Sequence, residues 1–88
     1  MKKARTSEGG KNLINQRLRE LREENGLTMR DLASQLKEHG YNIDRNIIWR
    51  IENDDRYVTD IEVKAFVEVL GADYGYLIEG KKREEKGE

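Results

Sequence analysis

Apolar residues recur along the chain at spacings of three and four, and strand-like alternation is scarce. From Asn12 to Asn25, Leu13, Ile14, Leu18 and Leu21 form one stripe, which predicts a first helix stopped by Gly26. Thr28 followed by Asp31 three residues on is an approximate capping box. It opens a second helix that presents Met29, Leu32, Ala33 and Leu36 on one side and is expected to reach His39, with Gly40 as its left-handed end. Asp44 caps a third helix over residues 45–53, and Thr59 caps a fourth that runs to about Leu70 and ends at Gly71. Asp73 caps a short fifth helix containing Tyr74, Tyr76, Leu77 and Ile78, closed by Gly80. Proline is absent, so no helix interior is interrupted. The pattern predicts an all-α domain of five helices over residues 11–80. Residues 1–10 and 81–88, charged and with nothing to bury, are expected to be a flexible basic arm and a tail.

The third helix divides into two faces. At about 100° per residue, Ile47, Ile48 and Ile51 fall in one arc, while Arg45, Asn46, Trp49 and Arg50 fall opposite. Arginine can donate two hydrogen bonds to guanine and asparagine can pair with adenine, so this exposed face suits a DNA major groove. An exposed tryptophan suits a protein interface equally well. Arg22 and Glu52 lie on the margins of the apolar stripes of the first and third helices. Burial of either charge alone is costly, so they are candidates to pair, the alternative being two unrelated surface charges.

Composition narrows the picture. A chain of 88 residues suits one small domain, which buries about 60% of its unfolded surface. Cysteine is absent, which removes disulfides and thiol chemistry and leaves helix packing to hold the fold. No run approaches the ~20 apolar residues of a membrane span, and the start MKKARTSEGG has no apolar signal core. A cytoplasmic location with no membrane partner is the expectation. Net charge is −1, but unevenly spread. Residues 1–30 carry eight Lys/Arg against four Glu, a net of +4, and residues 31–88 carry nine against fourteen acids, a net of −5. This reads either as a mixed solvated surface or as a polarised molecule with a basic face.

The runs RLRELREENGLTMRDLASQL, RNIIWRIEN and VKAFVEVLGADYGYLIEG, taken in order, resemble the helix-turn-helix domain of the lambdoid phage repressors, Cro and the Xre-type bacterial regulators. The resemblance spans residues 12–80. It implies a five-helix, lambda-repressor-like fold in which helices 2 and 3 form the helix-turn-helix and helix 3 enters the major groove. It makes Arg45, Asn46, Trp49 and Arg50 base-facing, with Ile47 at their edge. Thr28 and Arg30 at the start of helix 2, and Asn53, Arg56 and Tyr57 after helix 3, fall on phosphate-contacting positions. Arg22 and Glu52 fall on the family's structural ion pair.

Three departures stand out. The usual three-residue turn between helices 2 and 3 is replaced by the longer KEHGYNID, which a subset of Xre-type regulators is similar to. That subset carries a pattern matched here by Glu52, Arg56, Val58, Asp60 and Glu62. A return through Tyr41 and Ile43 would preserve the packing. Met29 stands where the family has a phosphate-binding Gln, and its place on the apolar stripe reads as packing. Asp54 and Asp55 in the loop after helix 3 are expected to repel phosphate.

Helix 4 has more apolar surface than one core face uses. The surplus either covers helix 5 or forms a homodimer contact through Ile61, Val69, Tyr74 and Tyr76, and a two-fold dimer implies a palindromic operator. Lys2, Lys3, Arg5 and Lys11 form a basic strand that either wraps DNA or remains a solvated tail. The single histidine, His39, has no clustered partners for a metal, and no cofactor is expected. No nucleophile and base pair, and no phosphate-cradling Gly loop, suggests an enzyme. The leading expectation is a sequence-specific, repressor-like transcriptional regulator binding double-stranded DNA. The alternative is a protein–protein interaction module, an antitoxin or adaptor, on the same fold.

Overall fold

The computed structural model describes residues 4–81; Lys2, Lys3 and, apart from Lys81, the expected tail at 81–88 lie outside them. Five helices follow one another: α1 (Asn15–Glu24), α2 (Met29–Glu38), α3 (Arg45–Glu52), α4 (Asp60–Leu70) and α5 (Tyr74–Glu79), with no strand among the described residues. Four helices begin at the side chains read as caps. Thr28, Asp44, Thr59 and Asp73 accept from the backbone N–H of Asp31, Ile47, Glu62 and Tyr76 respectively. At Thr28 and Thr59 the bond is reciprocated, since Asp31 and Glu62 accept from the cap's own backbone N–H.

The first helix departs from the sequence expectation. It starts at Asn15, not Asn12, and its N-cap Ile14 makes no side-chain capping bond. The reason is that Asn12 is used elsewhere. Its amide donates to the carbonyls of Ile51 and Arg56, both at 3.0 Å, and its side-chain oxygen accepts from Ile14 N–H at 3.1 Å. Leu13 therefore lies before the helical register. It is 55% exposed instead of joining the core stripe, and lines an open groove of about 740 Å³ with Val58, Val63 and Ile78.

Every helix contributes to one core. Leu18, Leu21, Leu32, Leu36, Ile48, Ile51, Phe66 and Leu77 are completely or almost completely buried, joined by Ile14, Ala65, Leu70 and Ile43. Each buried Leu or Ile is worth roughly 2 kcal/mol of transfer free energy. α1 and α2 both pack on α3, and α4 packs on α1, α2 and α5.

The long turn between α2 and α3 is tied down at several points. Gly40 N–H bonds Lys37 O at 3.0 Å and Tyr41 N–H bonds Leu36 O at 2.9 Å, with Gly40 at φ +89°, where a side chain is strained. Tyr41 then rests against the core and its hydroxyl donates to the Glu68 carboxylate on α4. Ile43, one residue before the α3 cap, is buried. The extra residues thus add two anchors without separating α3 from the core. α5 is secured by Arg17 of α1, which donates to the carbonyls of Leu77 and Ile78, each at 3.0 Å. Those carbonyls sit in a last helical turn, where partners are lacking and positive charge is favoured.

Candidate nucleic-acid interface

α3 buries Ile48 and Ile51, holds Ile47 partly buried at its edge, and exposes Arg45, Asn46 and Arg50, with Trp49 49% exposed. Two arginines, an amide and an indole therefore share the outward surface of one short helix. Their donors and apolar edge are the groups that read guanine, adenine and thymine methyl in a major groove.

Three sets of contacts hold this helix in place. Arg22 Nε and Nη2 donate to the two oxygens of Glu52 at 2.7 and 3.0 Å, and its Nη1 donates to Leu27 O at 2.9 Å. Both side chains are largely withdrawn from water, at 10% and 2% exposure. Bonding to Glu52 raises the pKa of Arg22 despite the opposing effect of burial, so its charge is permanent. Asn12 ties the end of α3, through Ile51 O, to the chain's beginning. The third set is Asp54, whose φ of +55° is unusual for a residue with a side chain. Its Oδ1 accepts from the backbone N–H of Lys11 and Asn12 at 2.8 and 3.0 Å. A Cβ at Gly10 would lie 2.7 Å from its other oxygen, which explains the glycine there. The Asp54 carboxylate is thus turned onto the protein's own backbone.

Asn12, Asp54, Arg17 and Glu62 were not singled out for these roles in the sequence. Glu62 did carry a signal, since Thr59-x-x-Glu62 is a capping-box spacing. It also accepts from Arg56 Nη1 at 2.8 Å, so the Glu52, Arg56, Val58 and Glu62 pattern has a physical content. Glu52, Arg56 and Glu62 form ion pairs, Glu62 also completes the capping box that opens α4, and Val58 packs on the core.

The expected phosphate-contacting residues fall into different situations. Arg56 is committed to Glu62 and to Tyr57 O, with its side chain 26% exposed. Asn53 is exposed and donates to Trp49 O at 2.8 Å, while Tyr57 is partly buried. The Thr28 hydroxyl caps α2. Met29 packs against the core. Arg50 pairs with Asp55, and Lys11, Arg19, Lys64 and Lys81 also have carboxylate partners. Arg30, Lys37 and Arg45 make no salt bridge among the described residues, and all three line one open groove of about 450 Å³ with Ser34 and Asn42. That groove runs between α2 and the start of α3. Arg17 and Arg22, by contrast, are used within the fold.

A family model described as a helix-turn-helix domain matches residues 15–83. The chain belongs to the helix-turn-helix domain family, in its Xre/Cro-like form. No curated protein and no solved structure matches it. As a DNA-binding helix-turn-helix domain, it has α2 and α3 as its two defining helices and HGYNID, residues 39–44, as an enlarged turn between them.

Proposed function

We propose that this helix-turn-helix domain is a sequence-specific transcriptional regulator that occupies an operator as a repressor. α3 lies in the major groove of double-stranded DNA. The observation that carries the reading is the joining of two surfaces: the groove lined by Arg30, Lys37 and Arg45, cations without a salt bridge among the described residues, with Asp44 at its rim, adjoins the exposed Arg45, Asn46, Trp49 and Arg50 face. Cations beside a polar helix face match the division of labour in DNA recognition, in which phosphate contacts position and base contacts specify. Because Glu62 compensates Arg56, the main phosphate load falls on Arg30 and Lys37, with Asn53 and Tyr57 at the opposite end of α3. The regulator acts as a homodimer on a palindromic site, its two α3 helices about one DNA turn apart. Ile61, 65% exposed, and Tyr74, also exposed, supply apolar surface for that contact, whereas Val69 and Tyr76 are partly buried against their own core.

Selection of bound duplexes from a random library tests the reading, with gel shifts over a salt series on the selected site. The expected result is a two-fold symmetric motif bound in a salt-dependent manner. Failure to bind any duplex at low salt overturns it in favour of a protein-interaction module, for which the exposed Trp49 would be the anchor.

A further inference from the structure

Asp55 follows the recognition helix and engages one of its base-facing arginines through both main chain and side chain. Asp55 N–H donates to Arg50 O at 2.8 Å. In return Arg50 Nε donates to Asp55 Oδ2 at 3.3 Å, and Arg50 Nη2 donates to Asp55 O at 3.2 Å. The two residues close a ring of three hydrogen bonds. The chain reversal that makes this possible passes through Asp54 at φ +55°, held by the backbone N–H groups of Lys11 and Asn12. Lys11 Nζ, 4.0 Å from Asp55 Oδ1, flanks the carboxylate on its other side. A left-handed conformation held by two backbone hydrogen bonds at the edge of a binding face calls for a purpose in binding.

The donor inventory of Arg50 supplies one. A guanidinium has five N–H donors in a fixed fork, and Asp55 takes two along the Nε edge. The remaining donors lie at the outer end, enough for a bidentate contact with guanine O6 and N7. An untethered arginine would instead sample many rotamers and could settle on a phosphate. The carboxylate also penalises any approach that places phosphate beside it, which weakens binding to wrong sequences more than to the right one.

We propose that Asp55 is a positioning residue for sequence readout: it aims Arg50 at guanine and excludes Arg50 from phosphate. This rests on the DNA-binding reading above. Its consequence is that the loop carboxylate gives up overall affinity for discrimination.

The test uses the full chain and variants Asp55→Ala, Asp55→Asn and Arg50→Ala. Fluorescence anisotropy is measured on a duplex selected by the wild type, on duplexes with each base pair replaced in turn, and on random DNA. Asp55→Ala should tighten binding to random DNA and lower discrimination about tenfold at the same base pair where Arg50→Ala loses it, tenfold being 1.4 kcal/mol. Asp55→Asn, which keeps an acceptor without the charge, should tighten random binding while retaining part of the preference. Thermal unfolding of each variant separates misfolding from altered readout. An Asp55→Ala base-pair profile identical to wild type, or uniform weakening on every sequence, overturns the proposal while leaving DNA binding intact. A wild type that binds no DNA overturns both.

Discussion

Arg22 and Glu52 place two opposite charges where water scarcely reaches, at 10% and 2% exposure. Such a pair gains little over an apolar substitute but is expensive to break, because the survivor keeps its desolvation cost without its partner. Glu52→Gln or Arg22→Ala is expected to cost about 3–5 kcal/mol in urea unfolding. The double variant Arg22→Met with Glu52→Met should cost much less than the sum of the single changes. A residual loss remains, since Leu27 O forfeits its bond from Arg22. An additive double variant would rule out coupling. Asp31 behaves differently, on the surface. Hydrogen bonds from the Thr28 backbone N–H and then its hydroxyl lower the pKa of Asp31, and donation by the Tyr41 hydroxyl does the same for Glu68. A depressed carboxylate contributes its stability in full above the unfolded value of about 3.9–4.3 and loses it as pH falls through the folded value. Unfolding midpoints should therefore drop below about pH 4. Asp31→Asn should flatten that dependence, and an identical acid profile would show the capping box contributes nothing. The Arg22–Glu52 pair was within reach of sequence reasoning because each residue sat at the margin of an apolar stripe. Asn12 and Asp54 were not, because bonds spanning 42 positions leave no local pattern.

Whole elements were the most legible feature, and for a local reason. A cap and its acceptor are three residues apart, so Thr28, Asp44, Thr59 and Asp73 marked four helix starts directly. The fifth start was misplaced because an asparagine suited to capping was diverted into a long-range hub. The long turn was legible as an extension, and its Tyr41 and Ile43 as packing residues, but the hydroxyl bond to Glu68 on α4 depended on tertiary placement. α5 shows the same limit. Its six residues are too few to be stable alone, and Arg17, 60 positions earlier, satisfies the carbonyls of its final turn. Arg17→Ala should lower local stability by about 2 kcal/mol, the scale of hydrogen bonds made by a charged group. Amide hydrogen exchange in α5 should rise well above that in α2. Arg17→Lys should restore little, since one ammonium cannot reproduce the Nε and Nη2 fork that spans Leu77 and Ile78. Unchanged α5 protection in Arg17→Ala would remove the role.

At the scale of the molecule, net charge misdirects and charge pairing informs. The formal charge of −1 argues against attraction to DNA, and of the +4 carried by residues 1–30 only Arg30 lines the groove. Among the described residues, folding engages most cations in ion pairs and carbonyl contacts and leaves Arg30, Lys37 and Arg45 around one groove. Which charges remain available is decided by packing, so it could not be read from composition. The consequence is quantitative. Each cation that neutralises a phosphate releases condensed counterions, and its loss changes the slope of log affinity against log salt by about 0.9. Arg30→Ala and Lys37→Ala should each reduce the slope by about that amount and weaken selected and random duplexes alike. Arg45→Ala should reduce the slope similarly and also relax base preference, because Arg45 belongs to both the groove and the outward face of α3. Arg56→Ala should leave the slope nearly unchanged, since its charge is already met by Glu62, and should instead lower the unfolding midpoint by orphaning that buried carboxylate. A slope lowered by Arg56→Ala as much as by Lys37→Ala would mean that Arg56 leaves Glu62 for phosphate on binding. The cations that hold this loop together would then be the ones that grip DNA.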